Sequence, residues 1–383
     1  MNKNKYVISP LEMSFSLIAF IIGVGVLTMP GVLADTLDTA DGWISIIIAG
    51  LMIMVLTFIY VNLQKHFPGH TFLQFLRQGT LGKWWAFIFS VLFIVYFVTI
   101  LGFEARVLEI VFDLYLLDRT PSYIIVASIF LVTSYAVSKG ISGIIHLNVL
   151  FSPIILFVLM GIITFNVQNF ELAPLLPVAP KGFVHILKGI PDVVLAFIGI
   201  EILFFFMAFM KEDKLSTWPL NIGIAIIMLS YLLVTIFTYF VFSMDESKVV
   251  TFGTVELAKE IEIPGGFFER VESMMITVWT MAIFNTIAIS QLLAVHIVND
   301  QFFSKSNINS PMDKEGKWLT AIIVFFAIII TFIPESITET FQFGDWIGTL
   351  GMSLFLGGVI VGYFTVWWRK KDSINTYSWQ DKA

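Results

Sequence analysis

The stretch Ile21-Ile22-Gly23-Val24-Gly25-Val26-Leu27-Thr28-Met29-Pro30-Gly31 lies inside a longer apolar run, residues 11–33. The run is long enough to cross a bilayer, whose hydrocarbon core of about 30 Å takes about 20 residues of helix. Its centre is poorly suited to continuous helix. A mid-helix glycine costs about 1 kcal/mol relative to alanine, and Pro30 has no amide to donate. Gly23 and Gly25, two residues apart, do not share a helix face, so they make a poor helix-packing pair. Two readings follow: a kink at a close helix contact, or an unwound segment whose free amides and following half-helix point at a carboxylate.

Working outward, nine further apolar runs occur at 43–62, 86–112, 121–138, 145–166, 189–210, 217–243, 271–298, 318–334 and 345–367. About ten transmembrane helices in an all-α membrane protein are therefore predicted, with connectors too short to form a soluble domain. Composition agrees. The 383 residues are 57% hydrophobic and 13% charged, about half the charge of a soluble domain. Lys3 and Lys5 precede the first run, but its length, Glu12 at its start and the lack of a small-residue cleavage site predict a retained helix, not a cleaved signal. There is no cysteine, hence no disulfide framework or thiolate site. A net charge of −6 argues against nucleic acid as a partner.

Basic residues set the expected orientation. With the N-terminus inside, 15 of the 22 Lys and Arg fall on inner segments and 6 on outer ones, with Arg106 inside a span. Both termini are thus expected in the cytoplasm, and the acidic loop of Asp35, Asp38 and Asp41 outside with no basic neighbour in sequence. Eight of the ten tryptophans fall at predicted span ends, where indole prefers to sit, whereas Trp279 falls mid-span. Ten spans divide into two sets of five with opposite topology, about 11–166 and 189–367, the five-plus-five inverted repeat used by some transporters.

The place in the second half that corresponds to the Gly23–Gly25 stretch is span 6, Phe197-Ile198-Gly199-Ile200-Glu201. A carboxylate at that depth is costly unless paired, hydrated or protonated. Glu201 reads as a structural buried group, as the counter-charge of a ligand ammonium, or as a protonatable gate. Span 3 holds Glu104, Arg106 and Glu109. Arg106 and Glu109, three apart, can pair on one face, as a brace or an outer gate; Tyr96 and Thr99, deeper, are candidates for a central cavity. Span 8 is polar throughout, with Thr280 and Phe284 on one face as further ligand candidates or as interhelical contacts. The segment 244–270 is either an outer lid helix or a solvated connector. No metal-binding, phosphate-binding or hydrolase motif is present, and neither catalysis nor a cofactor is expected.

Taken together, Ile22-Gly23-Val24-Gly25-Val26-Leu27-Thr28-Met29-Pro30, Glu104, the loop Leu175-Leu176-Pro177-Val178 and Gly199-Ile200-Glu201 resemble the B subunit of spore germinant receptors, the GerAB family of the amino acid–polyamine–organocation superfamily. The resemblance implies a leucine-transporter-like fold with helices 1 and 6 broken. It also implies the spore inner membrane as location, and A and C subunits as partners. It implies an amino acid ligand held between spans 1 and 6. Amides of Gly23, Val24 and Gly25 would take its carboxylate. Carbonyls near Phe197, Ile198 and Gly199 would take its ammonium with Glu201 assisting, and Tyr96, Thr99, Thr280 and Phe284 would line the pocket. The apolar neighbours imply a small or branched apolar amino acid. The implied function is sensing, with ion-coupled amino acid transport as the alternative and a conduit for water or ions ranked below both. No lysine occurs in 147–166, where proton-coupled relatives can carry one, and Thr286 and Ser290 are the candidates for a sodium site.

Overall fold

The computed structural model describes residues 6–78, 82–169, 175–261, 270–303 and 312–380, with side chains as far as residue 370. Every regular element among them is helical. Among the described residues, six helices are long and apolar enough to span a membrane. Two further pairs pass the same test together, each bent at a short break, by 54° and 46°.

The first pair is α1 (Pro10–Ile21) and α2 (Gly25–Leu37). The start of α1 is fixed locally: Ser9 and Glu12 form a capping box, and Pro10 takes the first helical position, where its missing donor costs nothing. Glu12 also accepts the Tyr6 hydroxyl at 2.7 Å. After α3 (Gly42–Gln64) and the short α4 (Phe72–Arg77) comes α5 (Gly82–Tyr115), then α6 (Ser122–Val137) and α7 (Ile141–Phe165). The second half opens with the other bent pair, Phe183–Ala196 and Ile200–Phe209. It contains α8 (Phe183–Ile186), α9 (Ile190–Ala196) and α10 (Leu203–Phe206). α11 (Thr217–Val241) is followed by two small helices, α12 (Met244–Val249) and α13 (Gly253–Lys259). The chain ends with α14 (Val271–Val298), α15 (Lys314–Thr331) and α16 (Ile337–Gln380).

The runs predicted at 121–138 and 318–334 correspond to α6 and α15, helices of 16 and 18 residues, the latter opening on Lys314, Glu315 and Lys317. α16 overruns its apolar run most of all, because Glu339 at one end and Arg369, Lys370 and Lys371 at the other are good helix formers and do not stop the helix.

α14 is the most enclosed of the six long spans and packs along α5, α6, α7 and α1. Its polar residues are interior: Asn285, Thr286, Ser290 and Gln291 are all buried. Hydrogen bonds between helices serve here as they do in other membrane bundles: Gln291 donates to Ser134 at 2.8 Å, and Asn148 of α7 to Ser16 of α1 at 3.2 Å. Trp84, Trp218, Trp318, Trp346, Trp367 and Trp368 are exposed, as side chains at a headgroup belt would be, whereas Trp279 is buried.

Candidate functional site

The cavity lies where the two breaks meet. α1 ends at Ile21 and α2 begins at Gly25, so the carbonyls of the last turn of α1 lose their intrahelical donors. Side chains replace them. Thr286 of α14 donates to the Phe20 carbonyl (3.0 Å), and Trp279 Nε1 to the Gly23 carbonyl (2.9 Å). The Tyr231 hydroxyl of α11 stands 3.0 Å from the Ile21 carbonyl and 3.0 Å from the Ala196 carbonyl, touching both breaks at once. Pro30 leaves the Val26 carbonyl without its helical partner, and the Thr254 hydroxyl of α13 fills the vacancy at 2.5 Å.

The second break, Phe197–Gly199, is held open by backbone conformation. Gly199 has φ +126°, a region that L side chains rarely adopt. Its amide donates to Glu201 Oε2 at 2.6 Å. Glu201 is therefore turned onto its own backbone. It is fully buried and lies beside Tyr96, away from the cavity lining.

The cavity itself has a volume of about 370 Å³, within the range of small-molecule pockets. Val24 and Gly25 line it from the first break, Ala196 and Ile198 from the second, Glu104 from α5 and Thr286 from α14. Phe20, Ile21, Ile100, Phe103 and Ile347 supply apolar wall. A Cβ built on Gly23 would lie 3.5 Å from both carboxylate oxygens of Glu104, which places this acid against the opened backbone. Glu104 is 7% exposed, and its Oε2 has no hydrogen-bond partner. It faces the start of α2, where first-turn amides and the positive end of the helix dipole lie. Asp35, Asp192 and Asp345 also line the cavity, and no Lys or Arg does. Thr36 donates to Asp192 at 2.7 Å. These acids do not converge on a metal-binding geometry: no group of three or more His, Asp or Glu among the described residues does.

Thus the structure brings Val24, Gly25, Ile198 and Glu104 together on one cavity. Gly23 touches it through Glu104, and Phe197 and Gly199 form the turn behind it. Tyr96 and Thr99 are buried off the lining, and Thr99 donates to the Tyr96 carbonyl at 2.8 Å. Thr280 and Phe284 face a different cavity, between α5, α6, α7 and α14. The one-face argument pairs them correctly but takes the wrong face of α14, because a helix buried on nearly every side gives no periodicity to choose by. Arg106 and Glu109 pair at 2.8 Å within α5. Tyr231, Trp279 and Thr254 do work at the breaks that the sequence did not assign to them. Trp279 carries a signal, as the one mid-span indole; Thr254 carries none that a reader of the sequence alone would single out.

Within the segment 244–261, α12 is partly exposed while α13 packs inward; residues 262–269 lie outside the described residues. Val255, Leu257 and Ala258 of α13 are fully buried, and Thr254 is plugged into the first break. Beside it, Asp38 follows α2 in left-handed conformation (φ +50°), which Asp tolerates better than most residues. Contrary to its isolation in sequence, Asp38 binds Lys181 at 2.6 Å and also Lys248 of α12. Their hydrogen bonds hold its carboxyl down at about 2.

Known proteins with the same architecture include a Na+-coupled sialic acid symporter in a substrate-bound outward-open state, at a TM-score of 0.67 and 12% identity over 93% of this chain and 78% of the symporter. MhsT in complex with L-phenylalanine follows at 0.60 and 12%, over 94% of this chain and 99% of MhsT. At such identities the likeness carries the fold, which is leucine-transporter-like. Sequence relatives are nearer. Spore germination protein YndE of Bacillus subtilis (strain 168) is 28% identical over 95% of this chain and 97% of its own length. Spore germination protein GerLB of Bacillus cereus is 28% identical over 89% of each. The family model described as spore germination protein matches residues 7–340. With that match spanning most of its length, this multi-pass membrane chain belongs to the spore germination protein family.

Proposed function

We propose that the chain is the amino-acid-binding membrane subunit of a spore germinant receptor. It senses a small or branched apolar amino acid and passes the signal to A and C subunits in the spore inner membrane, with both termini in the cytoplasm. The observation that carries this reading is the convergence of two helix breaks on one cavity into which a buried, unpaired Glu104 projects. A zwitterion suits both poles of that site. Its ammonium meets Glu104, and its carboxylate meets the first-turn amides of α2 around Val24 and Gly25. The acid on the cavity lining is Glu104; Glu201 lies off that lining and turns its Oε2 to the Gly199 amide. The side chain of the ligand lies against Phe20, Ile100, Phe103 and Ile347. The two halves, about 11–166 and 189–367, would act as the inverted repeats whose relative movement reports occupancy. A ligand shifts that equilibrium only by its differential affinity for the two states.

The test is ligand-induced thermal stabilisation of the purified full-length chain, screened across amino acids. Stabilisation by small apolar amino acids, absent for Asp and Glu, supports the reading. No stabilisation by any amino acid rejects it. Gradient-driven accumulation of labelled amino acid in vesicles containing this chain alone would establish secondary transport instead.

A further inference from the structure

The second cavity, the one that takes Thr280 and Phe284, has a volume of about 660 Å³ and an almost wholly apolar lining. It follows one face of α6 from Ile124 through Ser128 and Val132 to Lys139, with α14 as its floor. Small side chains make the space: Ser128, Ala136 and Gly143 occur where larger residues would close the helices together. An acyl chain of the surrounding bilayer matches such a lining, lipid tails being as apolar as leucine.

One end of the groove carries a cation. Lys139 Nζ lies 4.6 Å over the Tyr135 ring and is exposed, and Lys139 has no carboxylate partner among the described residues. Tyr135 holds the ammonium at the mouth, where a headgroup would lie once a chain entered the groove. We propose that this groove is a binding site for one anionic phospholipid, with an acyl chain along α6 and its headgroup phosphate on Lys139. The site bears on the first break, because α14 serves both. Thr280 and Phe284 would touch the acyl chain, while Trp279 and Thr286 of the same helix hold the Gly23 and Phe20 carbonyls.

Native mass spectrometry of the full chain in detergent, titrated with phosphatidylglycerol, tests this. One lipid should be retained well beyond the statistical ladder, and soluble inorganic phosphate at equal concentration should not displace it. Lys139→Gln should weaken retention at least fivefold, Ser128→Trp should abolish it by filling the groove, and Lys65→Gln should leave it unchanged. Should Ser128→Trp fail to fold, the milder Ala136→Leu, which narrows the same groove, should reduce retention in the same titration. Overturning results are a wild-type protein with no retained lipid, retention indifferent to Lys139→Gln, displacement by phosphate, or a dimer occupying the site in place of lipid.

Discussion

Replacing Gly25 with alanine tests the junction of the two breaks directly. The backbone at Gly25 is helical, so alanine is tolerated locally and even favoured by helix propensity. What it meets is Tyr231. A Cβ at this position falls 2.5 Å from the Tyr231 hydroxyl oxygen, 3.1 Å from its ring carbon Cζ and 3.4 Å from the Ala196 Cβ. Tyr231 is fully buried and cannot retreat without leaving both the Ile21 and the Ala196 carbonyls. Overpacking of this kind costs about 1–3 kcal/mol, and withdrawing the one hydroxyl hydrogen that the two buried carbonyls share costs about 1–3 kcal/mol more. Relaxation recovers part of this, so a loss of about 3 kcal/mol is expected, equivalent to roughly a 100-fold fall in ligand affinity if it falls on the binding-competent state. The assay is a double-mutant cycle on thermal unfolding and ligand stabilisation, with Gly25→Ala, Tyr231→Phe and the pair. Removing the hydroxyl removes the closest clash, so the double variant should be better than the sum of the singles by at least about 1 kcal/mol. Wild-type behaviour of Gly25→Ala, or strict additivity, would refute the junction.

Four further outcomes are expected. Glu104→Gln should weaken amino acid binding by about 2 kcal/mol, roughly 30-fold, while thermal stability in the absence of ligand holds or rises, because an unpaired buried acid is removed; isothermal titration and melting curves read the two effects. Glu201→Gln should do the reverse, lowering the melting temperature through the Gly199 turn with little direct effect on ligand contacts, again by melting and titration. Trp279→Phe should cost about 2 kcal/mol of stability by stranding the Gly23 carbonyl, measured by chemical or thermal unfolding. The Asp38 bridge to Lys181 and Lys248 rests on a carboxyl held at about 2, below its ordinary 3.8. Its contribution is therefore complete above that ordinary value and is lost only as pH falls through about 2. Hydrogen exchange of α12, corrected for intrinsic rates, should be flat from pH 5 to 8 and rise when Asp38→Asn removes the bridge.

Much of the architecture was written in composition and in the lengths of apolar runs, because lipid leaves the chain little choice but helix. The first break was legible because Gly23, Gly25 and Pro30 oppose helix in three separate ways. The second was fainter, resting on Gly199 alone, yet its positive φ shows why only glycine serves there. Depth in the bundle was harder to read. Glu104 and Glu201 are both acids inside apolar runs, and only the three-dimensional path shows that one faces the cavity and the other caps a turn. Partners far apart in sequence, such as Thr254 with Val26 or Lys248 with Asp38, leave no local trace. α14 hides its orientation because nearly every side of it is covered, which is why Thr280 and Phe284 were expected on the other cavity.

Tyr231 carries a single hydroxyl hydrogen, and two carbonyl oxygens stand equally near it. Both claims cannot be met in full: the hydrogen is shared between them or alternates. Span 1 and span 6 therefore compete for one proton, and whichever is better served leaves the other hungrier. A visiting ammonium group that satisfied either oxygen would release that hydrogen to the other, so that an event at one crossing tightens its counterpart through a seesaw one atom wide.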